Sequence, residues 1–216
     1  EMGEIAVGEK TYHAMQPHIA REHGIECIYQ EFNLIGALSA AENICYGNRY
    51  GRLVNQKAMN RVAKNVFDEF SIDINPKTPV HKLSSAQKQI VEIAKAVTKN
   101  ARILILDEPT AALTISEIDI LMRIIAKLKA GGATIIYISH RLEEIFQVSD
   151  RVSVFRDGRF ITTLNTTETD RPALIRHMVG RELSETYPRR CSQPGEVLFE
   201  LKNLSGNGVR DISFAA

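Results

Sequence analysis

Apolar positions along this chain change period, and the changes divide it. Met59, Val62, Val66, Phe67 and Phe70 recur at helical spacing, as do Ile90, Ile93, Ala94 and Val97. From residue 102 onward, short apolar runs alternate with helical stretches: strand 102–106, helix 116–129, strand 134–139, helix 141–148, strand 151–155. All-apolar strands separated by helices predict two successive β-α-β units, hence a parallel sheet covered on both faces. Near the start, residues 4–7 and 11–13 predict a hairpin with Gly8 at its turn. A helix over 17–22 opens on proline and stops at Gly24, and a strand over 25–29 follows. Between 32 and 98 the pattern is helical. The expectation is an α/β body interrupted by an inserted helical subdomain.

Local signals sharpen the boundaries. Ser39 followed by Glu42 is a capping-box pattern for a helix over 40–46. Asn55 caps a helix to about residue 70, and Ser84 one to about 98. Gly131-Gly132 breaks the helix after the strand at 102, and Asp157-Gly158 turns the strand at 151 into a hairpin with 159–164. A last helix over 171–179 precedes Gly180. Residues 188–195 have the composition of a linker, and 197–204 with 209–214 alternate like paired strands opening another domain.

Composition narrows the function classes only a little. The chain has 216 residues, 44% hydrophobic and 25% charged, with a net charge of +1. That is globular composition, and near-neutral charge argues against a dedicated nucleic-acid binder. Cys27, Cys45 and Cys191 are scattered without a CxxC pair, which reads as incidental thiols in a reducing compartment. No apolar run reaches the ~18 residues that span a bilayer, so action at a membrane would need a membrane partner.

The chemistry concentrates at strand ends. Asp107 and Glu108 follow the apolar run at 103–106, where α/β sheets present functional groups. Two adjacent acids repel, and a cation relieves the repulsion. Asp107 would hold Mg²⁺, and Glu108 would polarise the water that attacks a γ-phosphate. The plainer alternative is a pair of acids capping the next turn. Leu83 to Gln87 opens a helix, so the free N–H groups around Ser84, Ser85, Ala86 and Gln87 can hold an anion; alone, Ser84 is simply an N-cap. Gln30 closes a strand ahead of the helical insertion, from which a neutral amide can reach the metal or the attacking water. His140 ends another strand, where it can contact the γ-phosphate and orient that water. Taken singly, Gln30 reads as a surface loop residue and His140 as a satisfied strand-end histidine. The five features in this order carry the nucleotide reading. His13, His18, His23, His81 and His177 show no ligand spacing and are assigned to surface or packing.

A phosphate-binding loop, G-x-x-x-x-G-K-[ST] between strand and helix, is not found. Residues 3–11, GEIAVGEKT, carry one residue too many, Glu9, and lie in the predicted hairpin. An acid there would repel phosphates, and the segment is rejected.

Together the segments IYQEFNLI, AAENICYGNR, LSSAQKQIVEIAKAV, ILILDEPTAALT and IIYISHRLEEIFQVSDRVSVFRDGR resemble those of ATP-binding cassette ATPases. The resemblance is strongest to the tandem-cassette subunit of bacterial monosaccharide importers, of the ribose, galactose, xylose and arabinose type. It implies a P-loop NTPase-like, RecA-like α/β fold: a parallel sheet core with an inserted helical subdomain over about 32–98. It makes Gln30 the Q-loop glutamine, with a share in the metal site, and the segment starting at Leu83 the signature. Asp107 and Glu108 end the Walker B strand, and His140 is the switch histidine. Residues 1–187 would be a first nucleotide-binding domain without its Walker A, 188–195 a linker and 196–216 the start of a second cassette. The implied cofactors are ATP and Mg²⁺. The implied partners are permease subunits docking near residues 32–50, a second cassette or second copy completing an ATP sandwich, and, indirectly, a sugar-binding protein outside the membrane. No nucleic acid is implied. The place of action would be peripheral, on the cytoplasmic face of the cell membrane. The alternatives are a non-transport cassette ATPase and a nucleotide-free interaction fragment, the latter because Walker A is missing. The family usually has glycine where this chain has Ala86. A methyl there is expected to crowd the γ-phosphate.

Overall fold

The structure is a computed structural model that describes residues 3–47, 55–180, 198–206 and 208–215. Residues 1–171 and 172–216 form two separate compact units. The expected linker at 188–195, the domain end at 187 and Cys191 lie outside the described residues, as do residues 48–50 of the expected docking region.

The first unit opens with strands β1 (Ile5–Val7) and β2 (Lys10–Tyr12), an antiparallel hairpin. Val7 pairs with Lys10, which leaves Gly8-Glu9 as a two-residue turn with Gly8 at φ +61°. GEIAVGEKT is therefore a hairpin and not a strand-loop-helix phosphate cradle. Helix α1 (Pro17–Glu22) starts on its proline and ends before Gly24, at φ +70°. A Cβ at Gly24 would meet Arg102 Cγ at 3.2 Å, and the Gly24 carbonyl accepts from the amides of Arg102 and Ile103. One glycine thus ends the helix and seats strand β3 (Ile25–Ile28) beside β4 (Ile103–Asp107).

Helices α2 (Ala40–Cys45), α3 (Gln56–Glu69) and α4 (Ser85–Thr98) lie between those strands in sequence. Ser39 forms the capping box expected of it, with Glu42 reaching back, and Ser84, expected only as an N-cap, forms a second one with Gln87. Asn55 accepts from the Ala58 amide. Ser71 and Asn100, at φ +57° and +56°, follow the ends of α3 and α4 in the left-handed backbone that glycine usually supplies there. Asn43, 2% exposed, accepts from the Ile35 amide and donates to the carbonyls of Ile35 and Ser39. This fixes the loop leading from β3 into α2.

Strand β4 pairs in parallel with β3 and with β5 (Thr134–Ile138), and helix α5 (Ile115–Ala130) makes the crossover. The sheet order is β3-β4-β5. Pairing puts Ile28, Leu104, Leu106, Ile135 and Tyr137 on one face, and Cys27, Ile103, Ile105, Asp107, Ile136 and Ile138 on the other. The first face joins one continuous apolar core with Ala40, Ile44, Phe67, Ile93, Leu121 and Ile125 from α2 to α5. Among the described residues nothing covers the second face at β5: Ile136 and Ile138 are 48% and 46% exposed. The expectation of a sheet covered on both faces fails here. So does the second β-α-β unit. Helix α6 (Leu142–Val148) leads to β6 (Arg151–Arg156), which pairs with β7 (Arg159–Asn165) in its own hairpin instead of joining β5. Asp157 and Gly158, at φ +52° and +72°, form a two-residue turn that makes this antiparallel pairing local.

Helix α7 (Arg171–Val179) begins at the division between the units. In the second unit, β8 (Glu200–Gly206) and β9 (Val209–Ala215) pair antiparallel with two register shifts. Among the described residues no helix is long and apolar enough to cross a membrane.

Candidate nucleotide site at the sheet edge

Parallel register brings the carboxyl ends of β3, β4 and β5 to one edge. Ile28 lies opposite Leu106, and Asp107 opposite Ile138. Gln30, Asp107, Glu108 and His140 therefore leave the sheet at the same end, where α/β folds bind ligands.

Two of them meet. His140 Nδ1 lies 3.0 Å from Glu108 Oε1, with the Glu108 side chain 31% exposed and that of His140 69%. Glu108 sits at φ +43°, uncommon for a residue with a Cβ, and its amide donates to the Ile138 carbonyl. The backbone thus bends out of the β4 ladder at the residue whose side chain reaches His140. Strain of this kind costs on the order of 1–3 kcal/mol and concentrates at functional sites.

Asp107 is half-buried and takes part in no side-chain hydrogen bond or ion pair among the described residues. A half-buried carboxylate without a protein partner suits a cation. No group of three or more His, Cys, Asp or Glu that could hold a metal occurs among the described residues. Mg²⁺ needs none, since one or two carboxylates with substrate phosphates and water suffice. Behind Asp107, burial pushes the Cys27 thiol up; a hydrogen bond to Tyr29 opposes this, and the charges of Asp107 and Glu26 add to it. Such a thiol is a poor nucleophile, in keeping with the incidental reading.

Gln30 is exposed. Ser84 and Gln87 are committed to the α4 capping box, and no hydrogen bond or ion pair joins Ser84, Ser85, Ala86 or Gln87 to the sheet-edge residues among the described residues. Ala86, in the first turn of α4, is 8% exposed as a residue.

Sequence reading missed what stands behind the pair. The Glu144 carboxylate on α6, 3% exposed, gathers Thr110, Tyr137 and Ser139. The available signal was Thr110 in the run Asp107-Glu108-Pro109-Thr110. Glu144 itself, in a Glu143-Glu144 pair, reads as a surface acid.

Known proteins bear on this arrangement in three ways. The family model described as ABC transporter matches residues 1–111. The ribose import ATP-binding protein RbsA of Bacillus subtilis (strain 168) is 42% identical over 220 residues, covering 99% of this chain and 44% of the relative. The galactose/methyl galactoside import ATP-binding protein MglA of Haemophilus influenzae (strain 86-028NP) is 42% identical over 201 residues, covering 90% of this chain and 40% of the relative. The chain thus spans under half the length of these curated relatives. A dimeric post-hydrolysis structure of the ATP-binding cassette MJ0796, bound to ADP and Pi, superposes with a TM-score of 0.65 at 22% identity, covering 76% of this chain and 73% of that one. CbiO1 from Clostridium perfringens, part of the ABC transporter complex cbiONQ, gives 0.61 at 24% identity, covering 79% and 69%. These two establish the fold, an ATP-binding cassette. The chain belongs to the ABC transporter family, where the curated relatives it matches are ATP-binding proteins of ribose and galactose import.

Proposed function

We propose that this chain is part of the ATP-binding and hydrolysing subunit that energises sugar import through a membrane permease. The observation that carries the reading is the Glu108–His140 contact at the carboxyl edge of the sheet, next to Asp107, which has no side-chain hydrogen bond or ion pair among the described residues. Asp107 would hold Mg²⁺, with Gln30 completing its surroundings, and the bound ATP would supply the phosphoryl group. Glu108 would take the proton of the attacking water. His140, donating from Nδ1, would hold that carboxylate in place and leave Nε2 toward the phosphate. Ser84 and the free amides of the first turn of α4 would face the nucleotide of a second cassette or second copy. Permease subunits would dock on the helical insertion, and a sugar-binding protein would act through the permease. The site of action would be the cytoplasmic face of the membrane, held there by the permease. The domain reading stands with it: a first cassette to residue 187, and a second beginning at 196.

Residues 1–216 contain no phosphate-binding loop, so the backbone cradle for the phosphates has to come from other sequence or a second polypeptide. Titrating the chain with a fluorescent ATP analogue, with and without Mg²⁺, tests this. We expect no saturable Mg²⁺-dependent binding by the chain alone, and its appearance when a loop-bearing cassette is supplied. Saturation by the chain alone would return residues 3–11 to consideration and overturn the assignment of the cradle. The missing loop equally favours one other reading, a catalytically silent interaction module, in which the loop-bearing cassette restores nothing.

Ala86 gives a second test. If the Ala86 methyl crowds the γ-phosphate of a nucleotide held by a partner cassette, Ala86→Gly should speed turnover of the complete tandem protein, at a cost in helix propensity of up to about 1 kcal/mol. Unchanged turnover would remove that methyl from any part in crowding the phosphate.

A further inference from the structure

We propose that Glu144 is a positioning residue that clamps together the two segments carrying Glu108 and His140. The inference rests on the hydrolytic reading only for its kinetic consequence; the clamp itself is geometric. Glu144 Oε2 accepts from Thr110 Oγ1 at 3.0 Å, from the Tyr137 hydroxyl at 2.8 Å and from Ser139 Oγ at 3.0 Å. The other oxygen, Oε1, lies 3.1 Å from Arg141 Nη1. Thr110 is two residues past Glu108, and Ser139 and Arg141 flank His140. One buried carboxylate therefore collects groups from both limbs of the candidate site.

The geometry around His140 is specific. Ser139 Oγ accepts from the Arg141 amide at 3.0 Å, closing a tight turn with His140 at its centre. The same hydroxyl donates to Glu144, so the turn is anchored to α6. On the other limb, Thr110 is 2% exposed; its hydroxyl donates to Glu144 and also meets the Tyr137 hydroxyl, itself a donor to Glu144. Burial and the Glu144 carboxylate both push the Tyr137 phenol up, so it stays protonated and remains a donor. A buried carboxylate is costly to desolvate, and an ion pair repays this only when further hydrogen bonds complete it. Here they reach Oε2 from one strand, one turn and the segment after Glu108, while the buried Oε1 has the Arg141 ion pair and no hydrogen bond. The Arg141 ion pair alone would satisfy charge without tying these parts together. The hydroxyls do the tying, and they fix the separation of Glu108 and His140.

The test uses the full chain with ring-labelled histidine, and follows the His140 Cε1–Hε1 cross-peak, assigned with His140→Gln. Thr110→Val and Glu144→Gln should each shift this cross-peak. The double variant should move it no further than Glu144→Gln alone, the non-additivity expected of one network. Leu121→Ala, a core truncation that removes none of the clamp's hydrogen-bonding groups, should leave it in place. An unmoved cross-peak in folded Thr110→Val and Glu144→Gln, or an equal shift in Leu121→Ala, would overturn the proposal. If Glu144→Gln does not fold, Thr110→Val, which removes one hydroxyl, decides alone. In the complete tandem protein the same variants should lower kcat with KM for ATP unchanged. A shifted cross-peak with unchanged kcat would leave the clamp standing and remove the pair from hydrolysis.

Discussion

If the proposed function holds, replacing Glu108 by glutamine in the full-length protein should lower ATP turnover by about 100- to 10 000-fold, the usual contribution of a positioned general base, while nucleotide binding persists. The amide keeps the size and the reach of the side chain but cannot take a proton from water. It can still accept a hydrogen bond from His140 Nδ1, now 3.0 Å away, so the fold of the edge should be unchanged. Steady-state hydrolysis and equilibrium ATP binding, measured on the same preparation, separate the two effects. Turnover within tenfold of the parent would take Glu108 out of the role of base. Loss of binding together with turnover would instead make it part of the nucleotide cradle.

Truncating Phe67 to alanine should cost about 3–5 kcal/mol of stability. Phe67 is 1% exposed and stands on the face of α3 that also carries Met59, Ala63 and Val66. It belongs to the same buried cluster as Ile44, Ile93 and Leu106, so the cavity would open where the helical insertion meets the sheet. Domains commonly have only ~5–15 kcal/mol in total. The guanidinium midpoint should fall steeply, whereas Lys64→Ala, which removes an exposed ion pair to Asp68, should stay within about 0.5 kcal/mol. Similar midpoints for both variants would mean that Phe67 is not part of a close-packed core.

Much of the fold was legible because its signals are local. Ser39 with Glu42, and Ser84 with Gln87, specify their helix starts within four residues. Gly24, Gly8 and Asp157-Gly158 specify their turns by backbone conformation alone. Helix α5 shows the limit of such signals: it begins at Ile115, where the Glu117 carboxylate reaches back to the Thr114 amide and hydroxyl, one residue before the expected start. Partner choice was less legible. β6 is apolar enough to join a parallel sheet, yet its hairpin to β7 requires only two turn residues and a crossover requires a helix. The open face of β5 was hidden too, because Ile136 and Ile138 look in sequence like any buried pair. At the candidate site, strand ends delivered Asp107, Glu108 and His140 to one edge as their spacing implied. Nothing in the spacing announced that Thr110 and Glu144, far apart in the chain, share a hydrogen bond.

The β5 edge has one more consequence. Among the described residues it is a terminal strand of the three-stranded sheet, and it carries two exposed isoleucines. An apolar, unprotected strand edge templates pairing with other chains. For polypeptide limited to these residues, solubility should therefore fall with concentration sooner than the net charge alone would suggest. A lysine at Ile136 or Ile138 would act as a gatekeeper, delaying self-association without entering the core.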